Sequence, residues 1–240
     1  MEQLSAFKGP IKIAIAGASG GIGGALCQLC QESDQVETIY ALSRKPVVGD
    51  KIQHLRLDYD DLTSLEGLSV IESIDILVIA TGVLTCQESG PEKRIEQVSA
   101  AELSSLYHTN AMGPVLLAKA LHHALAKKDH SVCLVLSARV GSVADNRLGG
   151  WYSYRASKAA LNMLFRSYSI EVARNSGLQA SLYHPGTVST SGFKDYQSHL
   201  DPSHIKQPMQ SAKEIWKRLA SIDSSDSGQL VDYKGDIIPF

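Results

Sequence analysis

No stretch of the sequence approaches the ~18 consecutive apolar residues that a membrane-spanning helix needs. Its opening residues, MEQLSAFKGP, lack the basic start and small-residue cleavage pattern of an export signal, so a cytoplasmic protein is expected. Charge of either sign is not in excess: 23 Lys and Arg face 25 Asp and Glu, for a net charge of −2. Nucleic acid and membrane surfaces call for a basic stripe, and neither is an expected partner. Cysteine is scarce, at four residues: Cys27, Cys30, Cys86 and Cys133. Cys27 and Cys30 form a lone C-x-x-C, with no second pair or ligand-spaced histidines to complete a zinc site. The pair falls inside an expected helix, away from the N-terminal dipole that would activate a thiol, and reads as packing. His122 and His123 are adjacent and diverge on a helix, and no H-x-x-x-H occurs, so no metal is expected. Neither Ser137 nor Ser142 lies in the G-x-S-x-G elbow of a hydrolase.

What is present is a chain of 240 residues, 44% hydrophobic and 20% charged, long enough to bury a core without disulfides or metals. Short apolar runs alternate with longer helical stretches. Strands are expected at 11–16, 38–42, 52–57, 76–80, 132–136 and 179–183, with a last short one at 228–231. Most lack polar alternation, as strands covered on both faces should. Helices are expected at 22–31, 100–127, 153–175 and 215–220. Ser99 with Glu102, and Ser211 with Glu214, read as capping boxes. The expected fold is therefore α/β: a Rossmann-type, doubly wound, mostly parallel seven-stranded sheet with helices on both faces, in one domain over 1–240. Only 187–210 looks irregular. It carries Gly192, Pro202 and Pro208 and is expected to form a short lid, with Asp195, His199 and Asp201 solvated.

The first strand runs into Gly17-Ala18-Ser19-Gly20-Gly21-Ile22-Gly23 and then a helix. Glycines at such a turn let the backbone approach a pyrophosphate, and the helix aims free N–H groups at the anion. The second strand ends in Ser43-Arg44-Lys45, with no acid to meet a ribose 2′-hydroxyl. A 2′-phosphate instead wants a cation, so NADP(H) is favoured over NAD(H). Tyr154 and Lys158 stand four apart and share one helix face. A neighbouring ammonium favours the phenolate, and such a pair can exchange a proton with an alcohol or carbonyl oxygen.

Together, the glycine turn, Tyr154-Arg155-Ala156-Ser157-Lys158-Ala159-Ala160 and His184-Pro185-Gly186-Thr187-Val188-Ser189-Thr190 resemble the short-chain dehydrogenases/reductases over nearly the whole chain. The run from Ser137 through Gly141-Ser142, Asp145-Asn146, Gly149-Gly150 and Ala160-Leu161-Asn162 is similar to the C-factor and sniffer-like carbonyl-reductase branch. The resemblance implies an oxidoreductase acting on a small carbonyl or alcohol, with Tyr154 as general acid/base. Lys158 would hold the nicotinamide ribose and lower the phenol pKa, and Asn110 would bend its helix and hold a relay water. Asp58, followed by Tyr59, would meet the adenine. Pro185, Gly186, Val188 and Thr190 would meet the carboxamide. It also implies a homodimer or homotetramer. Ala80-Thr81-Gly82 stands where the family has the end of an Asn-Asn-Ala-Gly turn, and both asparagines are missing. The family serine falls on Ala138. Ser142 is the preferred substitute, and Ser137, one residue early on a strand, is the other. These departures keep open a second class, a non-catalytic NADP-binding regulatory or signalling protein on the same fold. Val83, Leu84, Leu148, Trp151 and Phe193 are candidates for an apolar substrate pocket.

Overall fold

The computed structural model describes residues 2–175, 177–191 and 201–240. In chain order the elements are β1 (Ile11–Ala16), α1 (Gly21–Gln31), β2 (Val36–Ser43), β3 (Ile52–Arg56), α2 (Thr63–Glu66), β4 (Ile76–Ile79) and α3 (Ala100–Tyr107). A π-helical turn (His108–Met112) joins α3 to α4 (Gly113–Leu125), followed by β5 (Ser131–Leu136), α5 (Tyr152–Asn175) and β6 (Leu178–His184). The chain finishes with β7 (Thr187–Val188), β8 (Ile205–Lys206), α6 (Pro208–Ser221), β9 (Leu230–Asp232) and β10 (Ile237–Ile238).

The main sheet has the order β10-β9-β6-β5-β4-β1-β2-β3, parallel except for the β9–β10 pair. It is the expected doubly wound sheet with one strand more, since the two-residue β10 is too short to leave a pattern in the sequence. Alternate residues serve opposite faces. Ala14, Ala16, Leu77, Ile79, Cys133 and Val135 pack under α4 and α5, with Leu121, Leu161 and Phe165. Ile13, Ile15, Ile76, Val78, Val132 and Leu134 pack under α1 and α6, with Leu26, Ile215, Trp216 and Leu219. Covered faces explain why these strands are apolar at every position except Lys12 and Ser131, near the starts of β1 and β5. Strand order reverses between β1 and β4, which opens a crevice at their carboxyl ends.

Three local expectations are corrected. The long helix over 100–127 is interrupted by the π turn, which 3.6-residue periodicity does not reveal. The Ser99 half of the first capping box forms, its Oγ accepting from Glu102 N at 3.2 Å. Glu102 instead turns its carboxylate to Thr85 Oγ1 at 2.6 Å and Cys86 N at 2.9 Å, pinning the segment that follows β4. The second box does not form. Pro208 starts α6, because its fixed φ and missing N–H suit a first turn, and Ser211 lies inside the helix. Glu214 there pairs with Lys206. Cys27 and Cys30 are both free and buried in α1, and burial pushes the Cys27 thiol up to about 12.

Candidate active site

The glycine turn sits at the crevice between β1 and β4. Gly17 has φ +82°, and a Cβ there would lie 3.0 Å from Ala80 O. A Cβ on Gly21 would lie 2.7 Å from Thr190 Cγ2, and one on Gly23 would strike Gly17 O. The turn therefore binds the end of β4 and the segment after β7 to the start of α1, and only glycine fits. Gly20 caps α1 without a side-chain bond, and no acid occupies the first turn, so N–H groups at the helix start face outward beside exposed Ser19 and half-buried Ile22. This cradle suits a pyrophosphate.

At the end of β2, Ser43 is buried and donates to Lys45 O at 2.7 Å, which shapes the turn and leaves Arg44 exposed. Asp58 follows β3 and pairs with Arg56 at 2.8 Å. Tyr59 lies under α4, where a Cβ on Gly113 would collide with its ring. Its hydroxyl meets Thr81 Oγ1 at 2.9 Å, so a Tyr–Thr bond braces the turn where the family's asparagines are missing. Pro185 is buried, Gly186 takes φ +78°, and Val188 lies in β7. A Cβ on Gly82 would sit 3.2 Å from Asn110 Oδ1 and 3.4 Å from Lys158 Nζ. The fold thus gathers these residues at the carboxyl ends of the strands.

Tyr154 and Lys158 begin α5. Lys158 is 4% exposed, and its Nζ donates to Leu136 O at 3.0 Å. Nζ stands 6.0 Å from the centre of the Tyr154 ring. Burial lowers the ammonium to about 8 and raises the Tyr154 phenol to about 12. The expected lowering of the phenol pKa is therefore absent in the protein alone, because desolvation outweighs an ammonium at this distance. Asn110, fully buried in the π turn, accepts from Val83 N at 2.8 Å and donates to Val83 O at 2.8 Å and Ser157 Oγ at 3.0 Å. Ser157 Oγ in turn donates to Tyr154 O at 2.8 Å. Asn110 thereby ties the loop after β4 to the turn of α5 that carries the tyrosine. Ser157 was not singled out from the sequence, although it lies within the motif.

Both candidate serines are engaged elsewhere. Ser137 Oγ donates to Asn162 Oδ1 at 2.5 Å, and Asn162 Nδ2 donates to Gly141 O at 3.3 Å. Gly141 packs directly on α5, where a Cβ would stand 2.8 Å from the Lys158 backbone. Ser142 Oγ accepts from Asp145 N at 3.0 Å and shapes the following turn. Ala138 is 8% exposed with extended backbone. Of the apolar candidates, Leu84 is buried, Val83 is half-buried and Leu148 is 92% exposed, too open to line a pocket. Trp151 lays its ring edge against Tyr154, with centroids 6.2 Å apart. Phe193, Asp195 and His199 lie outside the described residues, as does 192–200 of the expected lid. The rest of 187–210 is less irregular than expected, since β7 pairs in parallel with β8 and α6 starts at Pro208. Among the described residues, no helix is long and apolar enough to cross a membrane.

A glycine cradle at a topological switch point, with a buried lysine and a tyrosine beside it, defines a dinucleotide-binding α/β domain of the nicotinamide-dependent oxidoreductase class. The short chain dehydrogenase family model matches residues 12–201, and the chain belongs to that family. It is 30% identical to the C-signal protein of Myxococcus xanthus over 70% of this chain and 93% of that one, in keeping with the branch expected. NADPH-bound carbonyl reductase from chicken fatty liver superposes with a TM-score of 0.83 at 23% identity, covering 98% of this chain and 96% of that one. Carbonyl reductase Sniffer of Drosophila melanogaster gives 0.82 at 22% identity, over 96% and 100%.

Proposed function

We propose that this protein is an NADP(H)-dependent reductase that interconverts a carbonyl and an alcohol, with Tyr154 as general acid/base. The observation that carries this reading is the buried Lys158 beside Tyr154 at the carboxyl ends of β4 and β5. Among the described residues its ammonium bonds only to the Leu136 backbone carbonyl, and such a charge is costly to bury without a role. When bound, the cofactor supplies the hydride. In reduction, Tyr154 donates its phenolic proton to the substrate oxygen. Lys158 holds the cofactor ribose and offers its charge to the phenolate that remains. Asn110, through Ser157, fixes the Tyr154 turn against the loop after β4. Gly17, Ser19, Gly20, Gly21, Ile22 and Gly23 cradle the pyrophosphate, Asp58 and Tyr59 flank the adenine, and Pro185, Gly186, Val188 and Thr190 hold the carboxamide. In this reading, residues 1–240 act as one cytoplasmic domain that assembles as a homodimer or homotetramer.

NADPH oxidation by the purified protein should be followed against a panel of aldehydes, ketones and diketones, with Tyr154→Phe in parallel. Turnover that disappears in the variant supports the reading. Tight NADPH binding without turnover on any panel member overturns it. Ala138 at the family serine position and the likeness to C-signal favour a second reading, a non-catalytic NADP-binding regulator. That outcome would support it.

Arg44 provides a separate check. A guanidinium on a 2′-phosphate makes charge-assisted bonds worth about 1.5–3 kcal/mol. Arg44→Ala is therefore expected to weaken NADPH binding by at least about tenfold. NADH binding should be unchanged, as read by titrating nicotinamide fluorescence.

A further inference from the structure

The segment after β4 reaches the head of α5 a second time, through Glu92. This carboxylate is 2% exposed, although its residue lies in an irregular stretch 61 positions before the residue it holds. It accepts from Ser153 N at 3.3 Å and from Ser153 Oγ in a short bond. Glu92 O accepts from Trp151 N, one residue before α5 begins. Ser153 immediately precedes Tyr154, and Trp151 is the residue whose ring packs edge-on against the Tyr154 ring.

The backbone between these contacts is not one that the chain adopts unaided. Gly149, Gly150 and Trp151 follow one another with φ of +64°, +62° and +53°. Trp151 is the only residue other than glycine with positive φ among those described. A bulky side chain held in the left-handed region needs compensation from its surroundings. Glu92 supplies it on both sides of Tyr152. Arg155 adds to it, its Nε donating to Gly150 O at 2.9 Å and its N to Trp151 O at 2.8 Å. The carboxylate also faces the N-terminus of the 24-residue α5, where the helix dipole favours negative charge.

We infer that Glu92 is a positioning residue. It tethers Trp151 and Ser153 so that the Trp151 ring fixes the Tyr154 phenol in its reacting orientation. The effect on turnover rests on the function proposed above, whereas the tether itself does not. A misplacement of about 1 Å in a reacting group can cost ~10²-fold in rate. Glu92→Ala is therefore expected to lower kcat by about 10- to 100-fold. NADPH affinity should be unchanged, because the bonds of Glu92 go to Trp151 and Ser153 and to none of the glycine-turn residues. Glu92→Gln keeps a side chain of the same shape that can hydrogen-bond Ser153, so it should restore most of the rate.

The test combines kinetics with Trp151 fluorescence. The protein has two tryptophans, so Trp216→Phe leaves Trp151 as the sole reporter. In that background, acrylamide quenching should rise in Glu92→Ala towards that of a free side chain and stay near the parent in Glu92→Gln. Unchanged quenching and unchanged kcat in Glu92→Ala would overturn the inference. If the parent protein turns over no carbonyl, the proposed function fails while the quenching still decides the tether. If Glu92→Ala does not fold, Ser153→Ala removes one bond alone. It should lower kcat with NADPH affinity intact, and an unaltered kcat there would equally overturn the inference.

Discussion

Ala138→Ser is expected to raise kcat by about 100-fold, since one properly placed oxyanion donor is worth roughly 10²–10³ in rate. The position follows β5 in extended backbone, and alternation turns its Cβ away from Asn162, to which Ser137 points. Ser137 is committed to α5 by its 2.5 Å bond to Asn162, and Ser142 to its own turn by the Asp145 N–H. Ser137 has thus spent its one donor, whereas Ser142 only accepts and keeps its O–H. A restored hydroxyl at 138 would donate to the substrate oxygen most strongly as negative charge develops. The gain should therefore fall on kcat and leave KM nearly constant. Initial rates on whichever carbonyl the panel identifies would decide it. If Ser142 already supplies the donor, Ala138→Ser will add little and Ser142→Ala will lower kcat instead. That pair of results would assign the role to Ser142.

The sheet was legible because both its faces are buried. β1 was placed at its observed bounds, and β2, β4, β5 and β6 to within two residues, since apolar content alone marks a doubly covered strand. Irregular local chemistry was harder to read. Glu102 has the spacing of a capping residue, yet its carboxylate serves Thr85 and Cys86, a long-range choice that the S-x-x-E pattern cannot express. The π turn at Asn110 arises where its side chain must reach Val83 and Ser157 together, a demand of tertiary structure. At α6 the start signal is Pro208 rather than the later Ser211, because a proline at the first helical position gives up no hydrogen bond.

The candidate site divides in the same way. Tyr154 and Lys158 could be read because their role requires a helical spacing, and the glycine turn because a cofactor demands close backbone approach. Glu92 left no signal at all. Its partners are distant in sequence, and a lone acid in a polar stretch reads as solvated. The sign of the Tyr154 shift was also out of reach, since spacing gives the neighbouring cation and not the desolvation that outweighs it.

That desolvation leads to the second large effect. Lys158→Met is expected to cut turnover by about 10³-fold and yet to stabilise the fold. The ammonium falls from its ordinary 10.5 to about 8 because it is buried, and its residue is 4% exposed, so solvent screening is slight. The unfolded chain then binds the proton more readily than the native one. Folding is penalised by about 3 kcal/mol wherever the lysine is charged in both states. The penalty is full below pH 8, shrinks between 8 and 10.5, and vanishes above, so stability rises with pH across that window. Methionine fills the same volume without the charge and forfeits the bond to Leu136 O, worth about 1 kcal/mol. The remaining gain of about 2 kcal/mol corresponds to roughly 4–8 °C in Tm at pH 7 for a chain of this size. Thermal melts of both proteins at neutral and at strongly alkaline pH would show the advantage of Lys158→Met disappearing as pH rises. A lower Tm for the variant at pH 7 would mean that the Leu136 contact outweighs the cost of burying the charge. A higher one would show a residue kept against the stability of the fold, which is the mark of a group retained for chemistry.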